Sequence, residues 1–409
     1  MVLANNLKLE NFNPDVLREY DIRGIVDKDL TQNTAYTIGR TFGHVVCSKF
    51  NERSIVVGYD GRLTSPKLHQ SLCEGLVQSG VNVISIGMGP TPMIYFAHYS
   101  LKTNAAIMVT GSHNPSEYNG FKMVLNQHSF FAEKIQLLQK LVNDPKLSIK
   151  EGSYKEIDLK NDYSNRNLQN IFLKKKLKIG WDIGNGAMGA VIDLFTSQIL
   201  NAENIVINKE VDGSFPNHHP DPTVPKNMEQ LIKSVKENNC DIGLAFDGDG
   251  DRLGVVDNLG NIVWADQYML LLAKEISTIY DNPKIIMDVK CSKMFFDEVK
   301  KLNCNPIMYR TGHSPIKEKM KEVNSPLSGE MSGHVFYGDD FYGYDDAIYV
   351  GLRLLRILSN EKKTLSELMS VFPKTIATPE TRFDVLESRK FLIIDEIKNR
   401  LSNIEGKVI

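Results

Sequence analysis

Cysteine is scarce in this chain and is not arranged in pairs. The 409 residues contain no CxxC motif, and the five cysteines are spread along the chain as Cys47, Cys73, Cys240, Cys291 and Cys304. An odd, scattered set of cysteines argues against both a disulfide framework and a thiolate zinc site. We therefore expect a protein of a reducing compartment.

Long apolar runs and a strong net charge are also absent. No apolar stretch reaches the ~18 residues of a membrane span, and the N-terminus MVLANNLKLENF lacks the apolar core of a secretory signal. Lys and Arg number 48 against 50 Asp and Glu, a formal net charge of −2. No overall field therefore attracts nucleic acid or anionic lipid. We predict a cytoplasmic monomer or dimer with neither kind of partner.

The composition that remains is that of a globular protein with several parts. At roughly 100 to 200 residues per domain, the length allows two to four domains. Asp60, Asp182 and Asp288 each end a β-branched or apolar run that precedes a loop and a helical pattern, and they lie 122 and 106 residues apart. This spacing predicts three similar α/β units. Ligands are then expected at the carboxyl ends of the strands.

Polar or proline-containing segments suggest where the units meet. The predicted divisions are 1–158, 159–260, 261–375 and 376–409, the last being the opening of a fourth unit. Within that last segment, residues 378–385 have the pattern of a strand. A helix with one apolar face is predicted by Ile394, Ile397, Leu401 and Ile404.

The densest chemical signal is the run DGDGDR at 247–252. Three carboxylates at alternate positions of a glycine-rich turn can converge on one hard divalent cation. The calcium-loop template does not fit, because its sixth position is Arg252 and its twelfth is Asn258. Magnesium fits better, and a solvated acidic turn is the alternative.

The run TGSHNP at 110–115 follows a strand-like segment and supplies a second signal. Glycine and proline place Ser112 on a shaped loop, where its hydroxyl could act as a nucleophile or carry a phosphoryl group. The order does not match the G-x-S-x-G elbow of acyl transfer, and a turn serine fits equally well. Lys122 lies in the strand-like FKMVL that follows. It could bind phosphate, or move a proton if its pKa were lowered.

Two further motifs leave the function open. The run GEMSGH at 329–334 brings Glu330, Ser332 and His334 into one loop, a set suited to hydrogen-bonding sugar hydroxyls. The run GNGAMG at 184–189 matches G-x-G-x-x-G between a strand and a helix-like segment. That match favours an NAD-dependent dehydrogenase, and a tight strand-to-helix turn is the alternative.

Taken together, the motifs resemble the α-D-phosphohexomutase superfamily, closest to its bacterial phosphomannomutase/phosphoglucomutase branch. The matching runs stand in family order: YDIRG at 20–24, TGSHNP at 110–115, NGFK at 119–122, FPNHHPDP at 215–222, DGDGDR at 247–252, DVK at 288–290, TGHS at 311–314 and GEMSGH at 329–334. The resemblance implies an α/β fold of three similar domains with mixed sheets around a cleft. The start of a truncated fourth, α+β domain would follow.

The resemblance also implies an activity and a site. The chain would be a Mg²⁺-dependent isomerase that exchanges hexose 1-phosphate and 6-phosphate, of mannose and/or glucose. The exchange would pass through a phosphoserine at Ser112 and a hexose 1,6-bisphosphate. The metal ligands would be Asp247, Asp249, Asp251 and the phosphorylated Ser112. The catalytic residues would be Ser112, Lys122, Arg23 and His113, with Lys122 or a nearby histidine moving the proton. The substrate-binding residues would be Tyr20, Arg252, Lys290, His313, Glu330, Ser332 and His334.

One part of the family pattern is missing from the sequence. The family's fourth domain supplies a phosphate-binding loop of the form Arg-x-Ser-x-Thr-x-Pro, and this full pattern does not occur in the 409 residues. Remote binding groups orient the reacting end of a substrate, so the loss is expected to reduce turnover as well as affinity. Two alternatives stay open: a phosphoglucosamine mutase of the same superfamily, and a truncated, poorly active sugar-phosphate-binding protein.

Overall fold

A computed structural model describes residues 7–144, 146–147, 149–373, 385 and 389–401. The first unit contains, in chain order, β1 (Ile22–Ile25), α1 (Gln32–Lys49), β2 (Ser54–Tyr59), α2 (Ser65–Val77), β3 (Asn82–Met88), α3 (Thr91–Ser100), β4 (Ala105–Val109), β5 (Tyr118–Leu125), β6 (His128–Ser129), α4 (Glu133–Leu141) and β7 (Ser153–Glu156). The second contains α5 (Lys160–Leu168), β8 (Leu177–Asp182), α6 (Ile192–Thr196), β9 (Ala202–Ile207), α7 (Glu229–Asn238), β10 (Ile242–Phe246), β11 (Leu253–Asp257) and β12 (Ile262–Val263). The third contains α8 (Ala265–Ser277), β13 (Lys284–Asp288), α9 (Lys293–Lys301), β14 (Asn305–Tyr309), α10 (His313–Val323), β15 (Leu327–Gly329), β16 (Val335–Tyr337), α11 (Ala347–Asn360) and α12 (Leu365–Met369).

Each unit has its own sheet, and each sheet mixes parallel and antiparallel pairs. The strand orders are β1-β5-β4-β2-β3-β7 with β6 beside β5, then β12-β11-β10-β8-β9, then β14-β13-β15-β16. In each sheet, the strand that ends at or just before Asp60, Asp182 or Asp288 is paired in parallel on both sides. The loops after β4, β10 and β15 each lead into an antiparallel strand. The prediction of three mixed α/β units is confirmed. The divisions at 158, 260 and 375 stay predictions, and the second sheet extends to Val263.

An apolar cluster shared by the three units fixes their arrangement. Ile94 of α3, Trp181 of β8 and Leu352 of α11 belong to it, and all three are almost fully buried. The Trp181 ring stacks on Phe246, with the ring centroids 6.2 Å apart. Because these units share one core, the loops at their strand ends are held at fixed separations.

The C-terminal helix predicted from its apolar stripe is present as α13 (Lys390–Leu401). Its residues Ile394, Ile397 and Leu401 are exposed to solvent. The predicted strand over 378–385 lies outside the described residues except for Val385, and Ile404 also lies outside them. Within the described part of the chain, no helix is both long enough and apolar enough to cross a membrane.

Buried His98 predicts a pH-dependent loss of stability. Its ring bonds Thr103 Oγ1 through Nδ1 at 2.9 Å and accepts the backbone N–H of Gln127 at Nε2, at 3.2 Å. Burial, with a smaller contribution from Lys321, lowers the pKa of His98 from 6.5 to about 4. Between these values the unfolded chain binds a proton that the folded protein does not, so the free energy of unfolding falls as the pH falls.

We expect this histidine to remove roughly 3 kcal/mol of stability between pH 7 and pH 4. Urea unfolding of the wild type and of His98→Asn at both pH values measures the effect. Other titrating groups are common to the two proteins and cancel in the comparison. An equal pH dependence in both proteins would show that His98 is not the cause.

Candidate active site

Three loops, one from each unit, meet at the ends of their strands. The serine loop (110–117) follows β4, the acidic loop (247–252) follows β10, and the histidine loop (330–334) follows β15. Ser112 Oγ lies 3.2 Å from Asp247 Oδ2, so the first loop contacts the second. Arg252 Nε donates to His334 Nε2 at 3.0 Å, so the second contacts the third. The motifs that the sequence separates by more than 200 residues therefore form one site.

Ser112 is held in an uncommon backbone conformation. Its φ is +52°, in the left-handed region that few non-glycine residues adopt. Its N–H donates to Thr110 Oγ1 at 2.8 Å, and its Oγ lies 3.3 Å from His113 Nδ1. The side chain is buried rather than facing solvent as a surface turn serine does. Such strain persists only where neighbouring structure enforces it, and it often marks a functional site.

The three aspartates of the acidic loop are completely buried and share one small volume. Each of Asp247, Asp249 and Asp251 is 0% exposed, and one oxygen from each lies within 4.8 Å of the others. The alternative of a solvated acidic turn is therefore wrong. Asp249 Oδ1 and Asp251 Oδ1 accept no hydrogen bond from the described residues. Buried, unpartnered carboxylate oxygens are costly alone and suit a hard divalent cation.

Burial and like charges act on these carboxylates in different ways. Burial, followed by the charges of Asp251 and Asp249, raises the pKa of Asp247 well above its usual range. Burial would also raise the pKa of Asp249, but the Lys122 ammonium and hydrogen bonds from Lys122 and Thr91 lower it overall. The site therefore keeps one carboxylate charged against a cation and makes another costly to ionise.

Lys122 is buried between the carboxylates and is not a surface lysine. Its Nζ donates to Asp249 Oδ2 at 2.7 Å and also to Asp251 Oδ2. Burial alone would lower its pKa, but the charges of Asp249 and Asp251 raise it overall. A role for Lys122 in proton transfer stays a prediction from the sequence. The geometry places a positive charge among the carboxylates of the acidic loop.

The third unit contributes a set of buried polar side chains. Glu330 accepts the Gly312 N–H at 2.6 Å, and the rings of His313 and His334 stack with centroids 5.5 Å apart. His334 Nδ1 lies 3.1 Å from Asp345 Oδ2, a carboxylate that the sequence analysis did not single out. Its only sequence signal is a position just before α11. Ser332 is partly exposed on the same loop.

The remaining predicted residues lie around these loops. Tyr20 donates through its hydroxyl to Thr311 O at 3.0 Å. Arg23 forms an ion pair with Asp21. Its Nη1 donates to the side-chain oxygen of Asn114 at 2.9 Å, with the Asn114 amide oriented so that this oxygen faces the guanidinium. Burial, then Arg252 and Arg23, lowers the pKa of His113. Lys290 is exposed on the turn that follows β13.

The G-x-G-x-x-G turn supports the acidic loop. A Cβ at Gly186 would lie 2.9 Å from Gly248 O, and the Ala187 N–H donates to the same oxygen at 2.9 Å. Gly184 has a φ of +56° and packs against Pro220. A backbone donor that a dinucleotide phosphate would use is therefore occupied by the protein itself. The glycines are explained by close backbone packing, which removes the main support for a dehydrogenase.

Comparisons with known proteins match this architecture over most of the chain. The phosphoglucomutase/phosphomannomutase alpha/beta/alpha domains I, II and III match residues 15–146, 160–260 and 264–375. A phosphomannomutase/phosphoglucomutase of Pseudomonas putida is 44% identical over 386 residues, covering 94% of this chain and 83% of the relative. A phosphoglucomutase of Neisseria meningitidis is 41% identical over 392 residues, covering 95% and 85%. A phosphoglucomutase/phosphomannomutase family protein of Burkholderia thailandensis has a crystal structure that aligns with a TM-score of 0.86 at 41% identity, covering 90% of this chain and 81% of that one.

Proposed function

This chain belongs to the phosphoglucomutase/phosphomannomutase family, and from that premise we propose that it interconverts hexose 1-phosphates and 6-phosphates through Ser112. One observation carries the proposal: the buried Ser112 hydroxyl lies 3.2 Å from Asp247, within a cluster of three buried carboxylates. A nucleophilic oxygen beside a site for a divalent cation is what phosphoryl transfer requires.

In this proposal Ser112 carries a phosphoryl group in the active form. The bond between phosphorus and Ser112 Oγ breaks as a bond forms to the free hydroxyl of the bound hexose phosphate. The sugar hydroxyl loses a proton and Ser112 Oγ gains one. The resulting 1,6-bisphosphate turns over in the cleft, and its other phosphoryl group returns to Ser112. The net result exchanges the 1-phosphate and the 6-phosphate.

His113 is placed to exchange a proton with the serine oxygen. Its Nδ1 lies 3.3 Å from Ser112 Oγ. Burial lowers the pKa of His113, so the ring is uncharged and one of its nitrogens can accept a hydrogen bond from the serine hydroxyl. Lys122, whose pKa is raised by its two carboxylate partners, instead stabilises negative charge on the transferred group.

The proposed cofactor is Mg²⁺, held by Asp247, Asp249 and Asp251 with an oxygen of the phosphorylated Ser112. Hard oxygen ligands suit this ion, and two of the carboxylate oxygens accept no hydrogen bond from the described residues. When bound, Mg²⁺ neutralises charge on the phosphoryl group. The fixed carboxylates contribute the geometry, because each is buried on a loop that is anchored to a strand.

The substrate contacts are proposed on the same basis. Glu330, Ser332 and His334 would hydrogen-bond the sugar hydroxyls, and Arg252 would approach the phosphoserine. Tyr20 and Arg23 would line the transfer centre. Lys290 and His313 would contact the sugar phosphate. The four-domain division, the cytoplasmic location and the monomeric or dimeric state remain predictions from the sequence.

A phosphate-exchange assay tests the function directly. The purified chain, with Mg²⁺ and a trace of glucose 1,6-bisphosphate, is given glucose 1-phosphate, mannose 1-phosphate or glucosamine 1-phosphate. Formation of the 6-phosphate is followed by ³¹P NMR. Conversion of the glucose or mannose ester supports the proposal, and conversion of the glucosamine ester alone favours that branch of the superfamily. Binding of all three without conversion would contradict the proposed activity.

A further inference from the structure

Arg62 binds the backbone of the serine loop through its guanidinium. It was not among the site residues predicted from the sequence. It follows β2 and is 1% exposed. Its Nη1 donates to Pro115 O at 2.6 Å and to Tyr118 O at 2.9 Å. Its Nη2 donates to Ser112 O at 2.8 Å and to Asn114 O at 2.6 Å. One guanidinium therefore binds four carbonyls that a seven-residue stretch turns inward.

The surrounding residues leave room for this guanidinium and fix its orientation. A Cβ at Gly111 would lie 2.5 Å from Arg62 Cζ, so the loop can approach the guanidinium only with glycine there. Arg62 Nε lies 3.3 Å from Asp60 Oδ2, and that oxygen also accepts the Thr110 hydroxyl at 2.8 Å and the Gly111 N–H at 3.2 Å. The Asp60 carboxylate therefore contacts both the Arg62 guanidinium and the start of the serine loop.

The second unit covers the other side of Arg62. The Phe215 ring centroid lies 5.2 Å from Arg62 Cζ, within the range of a cation–π contact. Phe215 has a φ of +53°, an outlier for a bulky residue, and a Cβ at Gly213 would lie 2.6 Å from Arg62 Cα. Phe215 belongs to the FPNHHPDP run at 215–222, and none of the substrate contacts proposed above involves that run. The unit that carries the acidic loop therefore packs directly on the residue that holds the serine loop.

We propose that Arg62 is a positioning residue that sets the place of Ser112 Oγ relative to the carboxylate cluster, with Phe215 shielding it from water. The proposal rests on phosphoryl transfer through Ser112. In-line transfer depends on the alignment of the reacting atoms, and a displacement of ~1 Å can cost about 10²-fold in rate. A lysine ammonium is a point charge and cannot replace a planar fork that binds four carbonyls.

The experiment compares Arg62→Lys with a matched control, Arg40→Lys. Arg40 lies in α1, is 3% exposed, and bonds Tyr36 and the Leu147 carbonyl away from the site. For Arg62→Lys we expect kcat to fall about 10²-fold while KM stays within about threefold, because Arg62 touches the loop and not the substrate. Arg40→Lys should keep kcat within about twofold even where it lowers the melting temperature comparably. Equal kcat losses in the two variants, or a loss confined to KM, would overturn the proposal.

Phe215→Leu provides a second test that does not depend on the folding of Arg62→Lys. This variant keeps the four hydrogen bonds and removes the ring that covers them, so kcat should fall by about fivefold. If Arg62→Lys fails to fold, an unchanged kcat in Phe215→Leu would by itself overturn the proposal. The wild type is assayed in parallel, and its inactivity would contradict the proposed function itself rather than the role of Arg62.

Discussion

Replacing Ser112 with alanine is expected to abolish hexose-phosphate interconversion, with kcat lower by on the order of 10³-fold or more. Alanine has no atom that can carry the phosphoryl group. Among the described residues, the hydroxyl at hydrogen-bond distance from Asp247 is that of Ser112, at 3.2 Å. Removing a hydroxyl rather than a charge leaves the buried carboxylates and Lys122 in place. The loss should therefore be one of chemistry and not of folding.

The matched control for this change is Ser79→Ala. Ser79 is buried in the same unit, and its Oγ donates to Arg40 O at 3.0 Å and Gly75 O at 2.9 Å, neither of which belongs to the serine loop. This control should lose stability and keep kcat. Intact-mass measurement adds a second readout, because a phosphoryl adduct of about 80 Da is expected in the wild type and in Ser79→Ala but not in Ser112→Ala. Unchanged turnover of Ser112→Ala would refute the phosphoserine mechanism.

Removing divalent cations is expected to have the second-largest effect, a loss of on the order of 10²-fold or more in kcat that Mg²⁺ restores. Chelation leaves three buried carboxylates close together, with the Lys122 and Arg252 side chains as neighbouring cations. Bound Mg²⁺ should therefore stabilise the folded protein and raise its melting temperature. That thermal shift is measurable without any turnover.

The variant Asp247→Asn distinguishes the effect of metal binding from an effect on folding stability. Burial, followed by the charges of Asp251 and Asp249, raises the pKa of Asp247, so an uncharged asparagine at this position should not destabilise the metal-free protein. We expect the variant to lose both the Mg²⁺-induced thermal shift and turnover. Asp257→Asn is the control, since Asp257 is also buried but accepts the N–H groups of Leu259 and Asn261 in a turn outside the site. A full Mg²⁺ shift in Asp247→Asn would rule out the proposed ligand set.

Much of the fold could be predicted from local patterns. The apolar run at 105–109 is β4, and the runs that end at Asp60, Asp182 and Asp288 are parallel strands followed by loops and helices. These predictions hold because strand-forming side chains and the glycines and prolines that end a strand act over a few residues. The family assignment is likewise confirmed, since several short motifs in order carry it.

The chemistry of the acidic loop is also evident from its amino acids. Three aspartates at alternate positions within six residues concentrate charge in one turn, whatever surrounds it. The serine is identifiable as a candidate in the same way, but its conformation is not predictable. Its positive φ accompanies contacts with Thr110, two residues earlier, and with Arg62, 50 residues earlier, and no pattern around residue 112 encodes the second contact.

The class of fold, the family and the candidate reacting groups can thus be predicted from the amino acids, because each is encoded in short runs. How those groups are held depends on contacts between distant parts of the chain. Arg62 precedes Ser112 by 50 residues, and its contact with the Ser112 carbonyl forms only in the folded protein. The raised pKa of Lys122 depends on Asp249 and Asp251 from the second unit, and Asp345 lies against His334 of another loop in its own unit. Burial and long-range proximity set both, and neither is a property of neighbouring residues in the chain.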